Sequence, residues 1–436
     1  MSFDNFNLDS SILSCVQTCG YTSPTPIQKQ SIPVILEGHD VMGLAQTGTG
    51  KTAAFVLPIL QHLLKGPRGR ARVLIIAPTR ELVQQIHDTI GKLAAKTGLR
   101  SVTLYGGVNI NAQIQKMRRG IEIIVACPGR LLDHLRQRTT HLGNIEILVL
   151  DEADHMFDMG FLPSIQQILQ QLPKQRQSLL FSATMPEAIR DLAHDVLHKP
   201  VTIQIDHTLP TKTVKQTLFP VIEERKTALL FAILQTIEIS SVLIFTRTKH
   251  RAKNLALKLE QSGYSATSLQ GNLSQNKRQS ALDSFRSGEL QILVATDIAS
   301  RGIDVAKISH VINYDMPNTV EAYTHRIGRT GRAMHIGDAY TLVTREDMSR
   351  VRNVERMLGT RLPQQTLENF DYKPAGAASD SHNRTSTARP HHQHRKPTVT
   401  TAKRTYVRPS DTGSANRYGH APLRQRKQPI DQQKTD

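Results

Sequence analysis

The chain has 436 residues, enough for two or three domains, and 39% of them are apolar, so hydrophobic cores can form. A formal net charge of +18 favours a polyanionic partner such as nucleic acid, although many basic chains are simply soluble. Three cysteines, Cys15, Cys19 and Cys127, exclude a disulfide framework and a cysteine zinc site, so we expect small buried apolar residues. Neither a secretion signal nor a membrane-length apolar run is present, which predicts a cytoplasmic protein.

A glycine-rich loop follows the apolar stretch at residues 41–44 and precedes a helix-like run at residues 53–64. Glycines at 48 and 50 let the backbone turn tightly, so that successive N–H groups and the start of the next helix face one point. Lys51 would reach the terminal phosphates of a nucleotide, and the Thr52 hydroxyl would complete a magnesium shell. This pattern predicts a phosphate site, although its first residue is not the usual glycine. The loop consists of Ala45, Gln46, Thr47, Gly48, Thr49, Gly50, Lys51 and Thr52.

Short β-rich runs alternate with helix-like stretches in the first half of the chain. They lie at residues 73–77, 121–125, 145–150 and 178–181. Such alternation predicts a parallel sheet with helices on both faces, and functional loops at the carboxyl ends of its strands.

An acidic tetrapeptide, Asp151-Glu152-Ala153-Asp154, follows the run at 145–150. We expect Asp151 to hold Mg²⁺ partly through water, and Glu152 to orient or deprotonate the attacking water in phosphoryl transfer. Acidic strand-to-helix turns are common, so an ordinary loop is the alternative. The phosphate loop upstream in the sequence favours a catalytic role of the acidic tetrapeptide over an ordinary loop.

A second α/β series follows a polar segment. Residues 206–216 contain a proline and little periodicity, which predicts an interdomain linker. Further β-rich runs lie at residues 242–245, 265–269, 292–294, 310–314 and 339–343, so two similar domains are expected. Residues 373–436 contain few bulky apolar side chains and a large share of the positive charge, which predicts a disordered basic tail.

Three arginines at three-residue spacing, Arg326, Arg329 and Arg332, would lie on one helix face or turn. Several of them could then point at one anion. A solvated basic face is the alternative. Arginine supplied across a domain gap can stabilise charge on a transferring phosphoryl group, which only a closed pair of domains would achieve.

Residues 1–372 resemble the DEAD-box ATP-dependent RNA helicases, with the motifs in family order. The opening MSFDNFNL and the FTRTKH at residues 245–250 look most like the bacterial RhlE-like branch. The resemblance implies an α/β fold of two tandem RecA-like domains, preceded by a Q-motif region. Its expected boundaries are 1–29 for the Q-motif region, 30–205 and 217–372 for the domains, 206–216 for the linker and 373–436 for the tail.

The resemblance also implies a function. An RNA-dependent ATPase would use ATP and Mg²⁺ to unwind or remodel short RNA duplexes locally, with mostly sequence-nonspecific RNA recognition. Ribosome assembly or RNA decay is the expected setting, with ribosomal precursors or a degradosome as candidate partners and no membrane. An ATP-gated RNA clamp with little unwinding and a DNA translocase remain as alternatives. The apparently complete set of residues for ATP hydrolysis disfavours the clamp. The Q motif and the acidic tetrapeptide at residues 151–154 disfavour the translocase.

Nucleotide contacts carry over from the family motifs. Gln28 would read the adenine edge, because its amide pairs with N6 and N7 and thus favours ATP over GTP. Tyr21 would stack on the ring, with Phe3 nearby. Gly302 and Asp304 lie in the segment that would hold the ribose. Arg329 and Arg332 would be arginine fingers.

Coupling and RNA contacts carry over in the same way. Arg326 would brace the interdomain contact, and the other expected coupling residues are Asp154, Ser182, Thr184 and His325. The expected RNA-binding residues are Pro78, Thr79, Arg80, Gly106, Gly107, Pro128, Gly129 and Arg130 in the first domain, and Thr246, Gly271, Arg278 and Thr296 in the second. Cys127 stands where the family has threonine. Since a thiol is a weaker donor than a hydroxyl, one RNA contact is expected to be weaker.

Overall fold

Two β-sheets, each built only of parallel strands, organise the chain in this computed structural model. The structure describes residues 2–45, 48–205, 214–297, 308–331 and 337–373. These residues belong to one compact unit that spans residues 1–377. We call the first sheet with its helices lobe 1, and the second sheet with its helices lobe 2.

Lobe 1 contains a seven-stranded sheet. Its strands are β1 (Val41–Leu44), β2 (Val73–Ile76), β3 (Ser101–Leu104), β4 (Ile123–Ala126), β5 (Ile147–Leu150), β6 (Gln177–Ser182) and β7 (Val201–Gln204). Their spatial order is β3-β4-β2-β5-β6-β1-β7. Because β5, β6 and β1 are neighbours, the loops that leave their carboxyl ends lie side by side.

Helices cover both faces of this sheet. They are α1 (Ser10–Thr18), α2 (Pro26–Leu36), α3 (Lys51–Leu63), α4 (Arg80–Leu93), α5 (Ile110–Arg118), α6 (Pro128–Arg136), α7 (Ala153–Asp158), α8 (Leu162–Leu169) and α9 (Glu187–Val196). Alternate residues of β2 show the two cores: Val73 and Ile75 pack in one hydrophobic cluster, while Leu74 and Ile76 pack in the other. A strand that is buried on both faces is apolar at every position, which explains its unbroken apolar sequence.

Lobe 2 contains a six-stranded sheet in the order β10-β11-β9-β12-β13-β8. Its strands are β8 (Val214–Pro220), β9 (Val242–Phe245), β10 (Ala266–Leu269), β11 (Ile292–Ala295), β12 (His310–Asn313) and β13 (Gly337–Val343). Its helices are α10 (Lys226–Thr236), α11 (Lys249–Gln261), α12 (Gln275–Ser287), α13 (Val320–Ile327) and α14 (Met348–Leu358). Single-turn 3₁₀ helices lie at Phe3–Phe6, Glu223–Arg225 and Arg345–Asp347.

The predicted strands are present, with ends that shift by up to two residues, but four strands of the described residues were not predicted. One of them is β1, where the sequence showed only an apolar stretch before the loop. β3, β7 and β8 lie at sheet edges, where polar residues interrupt the apolar pattern. β8 begins at Val214, inside the predicted linker, so residues 214–216 belong to the second sheet. Its polar Gln216 is buried and accepts a hydrogen bond from the Tyr323 hydroxyl at 3.0 Å. The predicted tail beyond residue 373 lies outside the described residues.

Two smaller expectations concern single residues and membranes. Cys15 and Cys127 are buried as expected, but Cys19 is only partly buried. Over the described ranges, no helix combines the length and the apolar character that a membrane span requires.

Candidate active site

The glycine-rich loop lies at the carboxyl end of β1 and leads directly into α3. Gly48 and Gly50 have φ of 84° and 92°, in the left-handed region that favours glycine. A Cβ on Gly50 would also overlap the Gln28 amide. Lys51 is 6% exposed, and its Nζ donates to the Ala45 carbonyl at 3.0 Å. The structure therefore brings together the loop residues that it describes, which are Ala45, Gly48, Thr49, Gly50, Lys51 and Thr52. Gln46 and Thr47 lie outside the described residues.

Gln28 connects the amino-terminal segment to this loop. Its Oε1 accepts a hydrogen bond from the Thr25 backbone at 2.9 Å, and its Nε2 donates to the Gly50 carbonyl at 3.1 Å. Phe3 and Tyr21 stack nearby, with ring centroids 6.2 Å apart. A cavity of about 320 Å³ opens beside these two rings. The amino-terminal residues thus combine an aromatic wall with an amide that already contacts the phosphate loop.

The acidic tetrapeptide lies at the carboxyl end of β5, two strands from β1. Asp151 and Glu152 are 2% and 3% exposed. Burial raises the pKa of Asp151 to about 6, although the Lys51 charge opposes this shift. Burial also tends to raise the pKa of Glu152, but His155, Lys51 and Arg329 outweigh it and lower this pKa to about 2. Glu152 is therefore ionised at neutral pH, while Asp151 is a carboxylate whose ionised form lacks solvation.

Asp154 joins the tetrapeptide to the end of β6. Its Oδ2 accepts hydrogen bonds from the Thr184 backbone at 2.9 Å and from the Thr184 hydroxyl at 3.0 Å. Its own backbone N–H donates to Ser182 Oγ at 3.3 Å. Burial tends to raise the pKa of Asp154, but nearby positive charges and the Thr184 bond lower it. Three predicted coupling residues thus form one network.

Two lobe 2 residues meet this acidic cluster. His155 Nε2 lies 3.2 Å from His325 Nδ1, with the two rings edge to face. Arg329 is 5% exposed, and its charge helps to lower the pKa of Glu152. Burial lowers the pKa of His325 to about 4, and the His155 charge adds to that shift. His325 is therefore neutral near pH 7.

Arg326 forms its hydrogen bonds within lobe 2, so its expected role as a brace of the interdomain contact stays a prediction. Its guanidinium donates to Asp297 at 2.5 and 2.8 Å, to Asn313 Oδ1 at 3.1 Å and to the Asp315 carbonyl at 2.7 Å, all in lobe 2. The three arginines do not share one continuous helix, because α13 ends at Ile327. Arg326 is therefore in the last helical turn and Arg329 beyond it. Arg332 lies outside the described residues.

Three segments predicted to bind RNA converge at the carboxyl ends of β2, β3 and β4. Thr79 caps α4 by accepting a hydrogen bond from the Leu82 backbone at 3.2 Å. The Arg80 guanidinium lies against Gly106 and Gly107, where a Cβ on Gly107 would overlap it. Arg130 Nη1 donates to the Val108 carbonyl at 3.1 Å. The converging residues are Pro78, Thr79, Arg80, Gly106, Gly107, Pro128, Gly129 and Arg130.

In lobe 2 the corresponding residues follow three neighbouring strands. Thr246 comes after β9, Gly271 lies just beyond β10, and Thr296 comes after β11. Thr246 is fully buried, and its hydroxyl donates to the Thr248 carbonyl at 3.3 Å. Gly302 and Asp304 lie outside the described residues.

Sequence reasoning missed a contact between the lobes on this face. Arg278 was assigned to RNA, but its Nε and Nη2 lie 2.8 and 2.7 Å from Glu81 Oε1. Arg80 donates to Gln275 Oε1 at 3.3 Å beside it. Both partners of the ion pair are less than 10% exposed. An acidic residue directly after Arg80 was the available signal, but sequence spacing does not connect it to residue 278.

Comparisons with known proteins agree with this geometry. Residues 25–192 match the DEAD/DEAH box helicase family, and residues 225–334 match the helicase conserved C-terminal domain. The ATP-dependent RNA helicase CshA of Listeria monocytogenes is 42% identical over 375 residues, which are 86% of this chain and 72% of that relative. This chain belongs to the DEAD-box family of ATP-dependent RNA helicases.

Other relatives of this DEAD-box protein carry different names. RhpA of Helicobacter pylori is 44% identical over 79% of this chain and 70% of its own length. DeaD of Buchnera aphidicola is 41% identical over 85% of this chain, but the match spans only 62% of its length. The RhlE-like branch stays a prediction.

Solved structures confirm the fold of two RecA-like domains. Dbp5 of S. cerevisiae bound to RNA and ADP–BeF₃ has a TM-score of 0.76 at 30% identity, over 84% of this chain and 95% of that chain. Mss116p bound to single-stranded RNA and AMP-PNP has a TM-score of 0.76 at 29% identity, over 84% of this chain and 79% of that chain.

Proposed function

We propose that this protein hydrolyses ATP in response to RNA and uses lobe closure to separate or remodel short RNA duplexes locally. One observation carries the proposal. The phosphate loop and the acidic tetrapeptide follow β1 and β5 of lobe 1, which are separated only by β6, and His155 Nε2 lies 3.2 Å from His325 Nδ1 of lobe 2 beside them. A site built from both lobes ties hydrolysis to their closure.

ATP would be bound by lobe 1 before closure. The backbone N–H groups of residues 48–52 and the Lys51 ammonium would hold the phosphates, while Phe3, Tyr21 and Gln28 would hold the adenine. The Gln28 amide that would contact adenine already donates one N–H to the Gly50 carbonyl, and an amide has a second N–H and a second acceptor lone pair that can bind the base. Base recognition would thereby affect the phosphate loop directly.

Thr52 and Asp151 fit a magnesium ion, because Mg²⁺ prefers hard oxygen ligands and a buried carboxylate gains from a divalent cation. The ion would supply charge neutralisation for the phosphate oxygens. Glu152, ionised beside it, would orient the attacking water and accept its proton. Arg329 and Arg332 would stabilise charge on the transferring phosphoryl group.

RNA would lie across the strand ends of both lobes. Contacts to phosphates and sugars would make binding tolerant of sequence, and 2′-hydroxyl contacts would select RNA over DNA. Since ATP and RNA would both favour the closed state, each would increase the affinity for the other. A strand bent on this surface cannot stay in an A-form duplex, so base pairs would open locally.

The basic tail would tether RNA without sequence preference. Residues 371–436 hold 13 Lys or Arg against 5 Asp, which predicts binding that weakens steeply with salt through counterion release. Deletion of residues 374–436 should lower RNA affinity at low salt and spare the maximal ATPase rate. Unchanged affinity at low salt would remove the tether from the proposal.

The cellular setting is proposed from the same features. A basic, sequence-tolerant helicase suits structured cytoplasmic RNA, so we propose ribosome assembly or RNA decay, with ribosomal precursors or a degradosome as partners. Crosslinking to cellular RNA followed by sequencing would identify the substrate, and enrichment of neither ribosomal RNA nor decay intermediates would contradict this setting.

Two assays on one preparation test the core proposal. RNA should stimulate ATP hydrolysis, and ATP should drive displacement of a short labelled strand from an RNA duplex. Stimulated hydrolysis without displacement would favour the clamp, and stimulation by DNA but not by RNA would favour a translocase.

A further inference from the structure

A chain of hydrogen bonds runs from Glu152 through His155 to His325 and crosses between the lobes. His155 Nδ1 lies 2.9 Å from Glu152 Oε2, and His155 Nε2 lies 3.2 Å from His325 Nδ1. The two rings meet at an interplanar angle of 89°, with centroids 4.8 Å apart. His155 is 2% exposed, so water competes little for its nitrogens. One buried ring therefore has a partner in each lobe.

The charge on Glu152 sets the direction of this chain. An ionised carboxylate can only accept a hydrogen bond, so the proton of that bond lies on His155 Nδ1. In neutral His155 this fixes the tautomer, and Nε2 then accepts from His325 Nδ1. A protonated His155 would donate from both nitrogens instead. In either state, Glu152 is the acceptor at the end of the chain.

Glu152 has an uncommon backbone conformation at the start of α7. Its φ and ψ are 54° and 53°, a left-handed conformation that is uncommon for a residue with a side chain. It is also the N-cap of α7 and forms no side-chain capping bond. The ring one helical turn later supplies the bond that directs Oε2.

We propose that His155 is a positioning residue that links the orientation of Glu152 to lobe closure. When the lobes are closed, His325 holds the imidazole, the imidazole holds Oε2, and Oε1 is directed at the attacking water. When the lobes separate, the ring loses its second partner and the carboxylate loses its fixed orientation. The inference rests on the proposed role of Glu152 in activating water.

Two substitutions separate the two halves of the chain. His155→Leu keeps an apolar volume and removes both bonds. His155→Asn keeps a donor near the Nδ1 position and removes the group that meets His325. The turnover number and the KM values for ATP and RNA would be measured in the RNA-stimulated ATPase assay.

Both variants should lower kcat by about 10- to 100-fold, the range for one lost hydrogen bond to a charged group. The KM values should stay within about threefold of wild type, because orientation of the base matters in the transition state. Wild-type kcat in H155L would overturn the positioning role. A loss in H155L with wild-type kcat in H155N would overturn the link between the lobes.

A double-mutant cycle distinguishes a positioning role of His155 from a merely structural one. His325→Ala should lower kcat in the wild-type background and add little in the H155N background, because the same bond is already broken. Additive losses would overturn the proposal. This cycle uses polar or small replacements, so it remains informative if H155L folds poorly in a thermal melt.

Two controls separate this inference from the proposed function. His87→Leu removes a different histidine of lobe 1, one that is partly buried and lies away from the site. Its Nδ1 is 2.7 Å from Ser101 Oγ. This variant should keep wild-type turnover. Glu152→Gln tests the base itself. Wild-type kcat in E152Q would contradict the proposed function, whereas loss in E152Q with wild-type kcat in H155L would contradict only the role of His155.

Discussion

Lobe 1 and lobe 2 contribute to the site in different ways. In lobe 1, the phosphate loop, the acidic tetrapeptide and the end of β6 are already joined by hydrogen bonds within the lobe. In lobe 2, the extensive network of Arg326 stays inside the lobe. Among the described residues of this lobe, His325, Gln275 and Arg278 form contacts with lobe 1. The difference supports the proposal that lobe 1 holds the phosphates and the adenine of ATP, while lobe 2 completes the chemistry when it closes.

Lys51→Ala should have the largest effect, because it removes the cation that lobe 1 places beside the phosphates. ATP hydrolysis should become undetectable with or without RNA, as measured by phosphate release. Lys65→Ala, at an exposed position near the far end of α3, is the matched control and should keep wild-type turnover. Turnover by K51A at the wild-type rate would remove Lys51 from the site.

Arg329→Ala should preserve binding and impair chemistry, because its contact develops in the transition state. We expect ATP hydrolysis to fall by about 10³-fold or more, the range for an arginine finger, with nearly unchanged affinity for a fluorescent ATP analogue. Arg352→Ala, exposed on α14, is the control. A large loss of ATP affinity would instead place Arg329 in ground-state binding. It would contradict the proposal that lobe 2 contributes to the chemistry and lobe 1 to nucleotide binding.

Arg326→Ala should weaken lobe 2 and leave lobe 1 intact. The guanidinium is 3% exposed, and its loss would leave the fully buried Asn313 without this donor. We expect lobe 2 to lose about 2–3 kcal/mol of unfolding free energy, since charged hydrogen bonds contribute about that much. Urea unfolding followed by hydrogen exchange in each lobe would measure this loss. Equal destabilisation by Arg356→Ala, an exposed position on α14, would argue against the Arg326 network.

Cys127→Thr should have the smallest effect. Cys127 is the N-cap of α6 without a side-chain capping bond, and burial raises its thiol pKa to about 12, so the thiol is neutral. A hydroxyl there could cap the helix and add about 0.5–1 kcal/mol of stability, with at most a few-fold gain in RNA affinity. Lower stability in a thermal melt would show that the buried position does not accept the hydroxyl.

The sequence indicated where the lobe 1 segments of the proposed site lie, because their residues are close along the chain or directly follow apolar strands. Lys51 and Asp151 needed only a loop pattern and the rule that parallel strands end at one edge. Gln28 and the RNA-face residues came from the family resemblance. The fold followed from the same strand pattern and the family resemblance, except for β1 and the edge strands β3, β7 and β8.

Contacts between distant segments were not predictable in this way. Glu81 and Arg278 are 197 residues apart, and His155 and His325 are 170 apart, so no local periodicity connects them. The role expected of Arg326 came from the family resemblance and stays a prediction, because sequence spacing does not show which partners a side chain contacts. In the structure α13 ends at Ile327, before Arg329. Arg329 therefore lies beyond the helix and faces Glu152 of lobe 1.

The central claim is that closure completes the site, and the most direct test is a structure with a nonhydrolysable ATP analogue and single-stranded RNA. The account predicts the Arg329 guanidinium within hydrogen-bond distance of the γ-phosphate, with His155 between Glu152 and His325. A closed, RNA-bound structure with Arg329 distant from the γ-phosphate would contradict it.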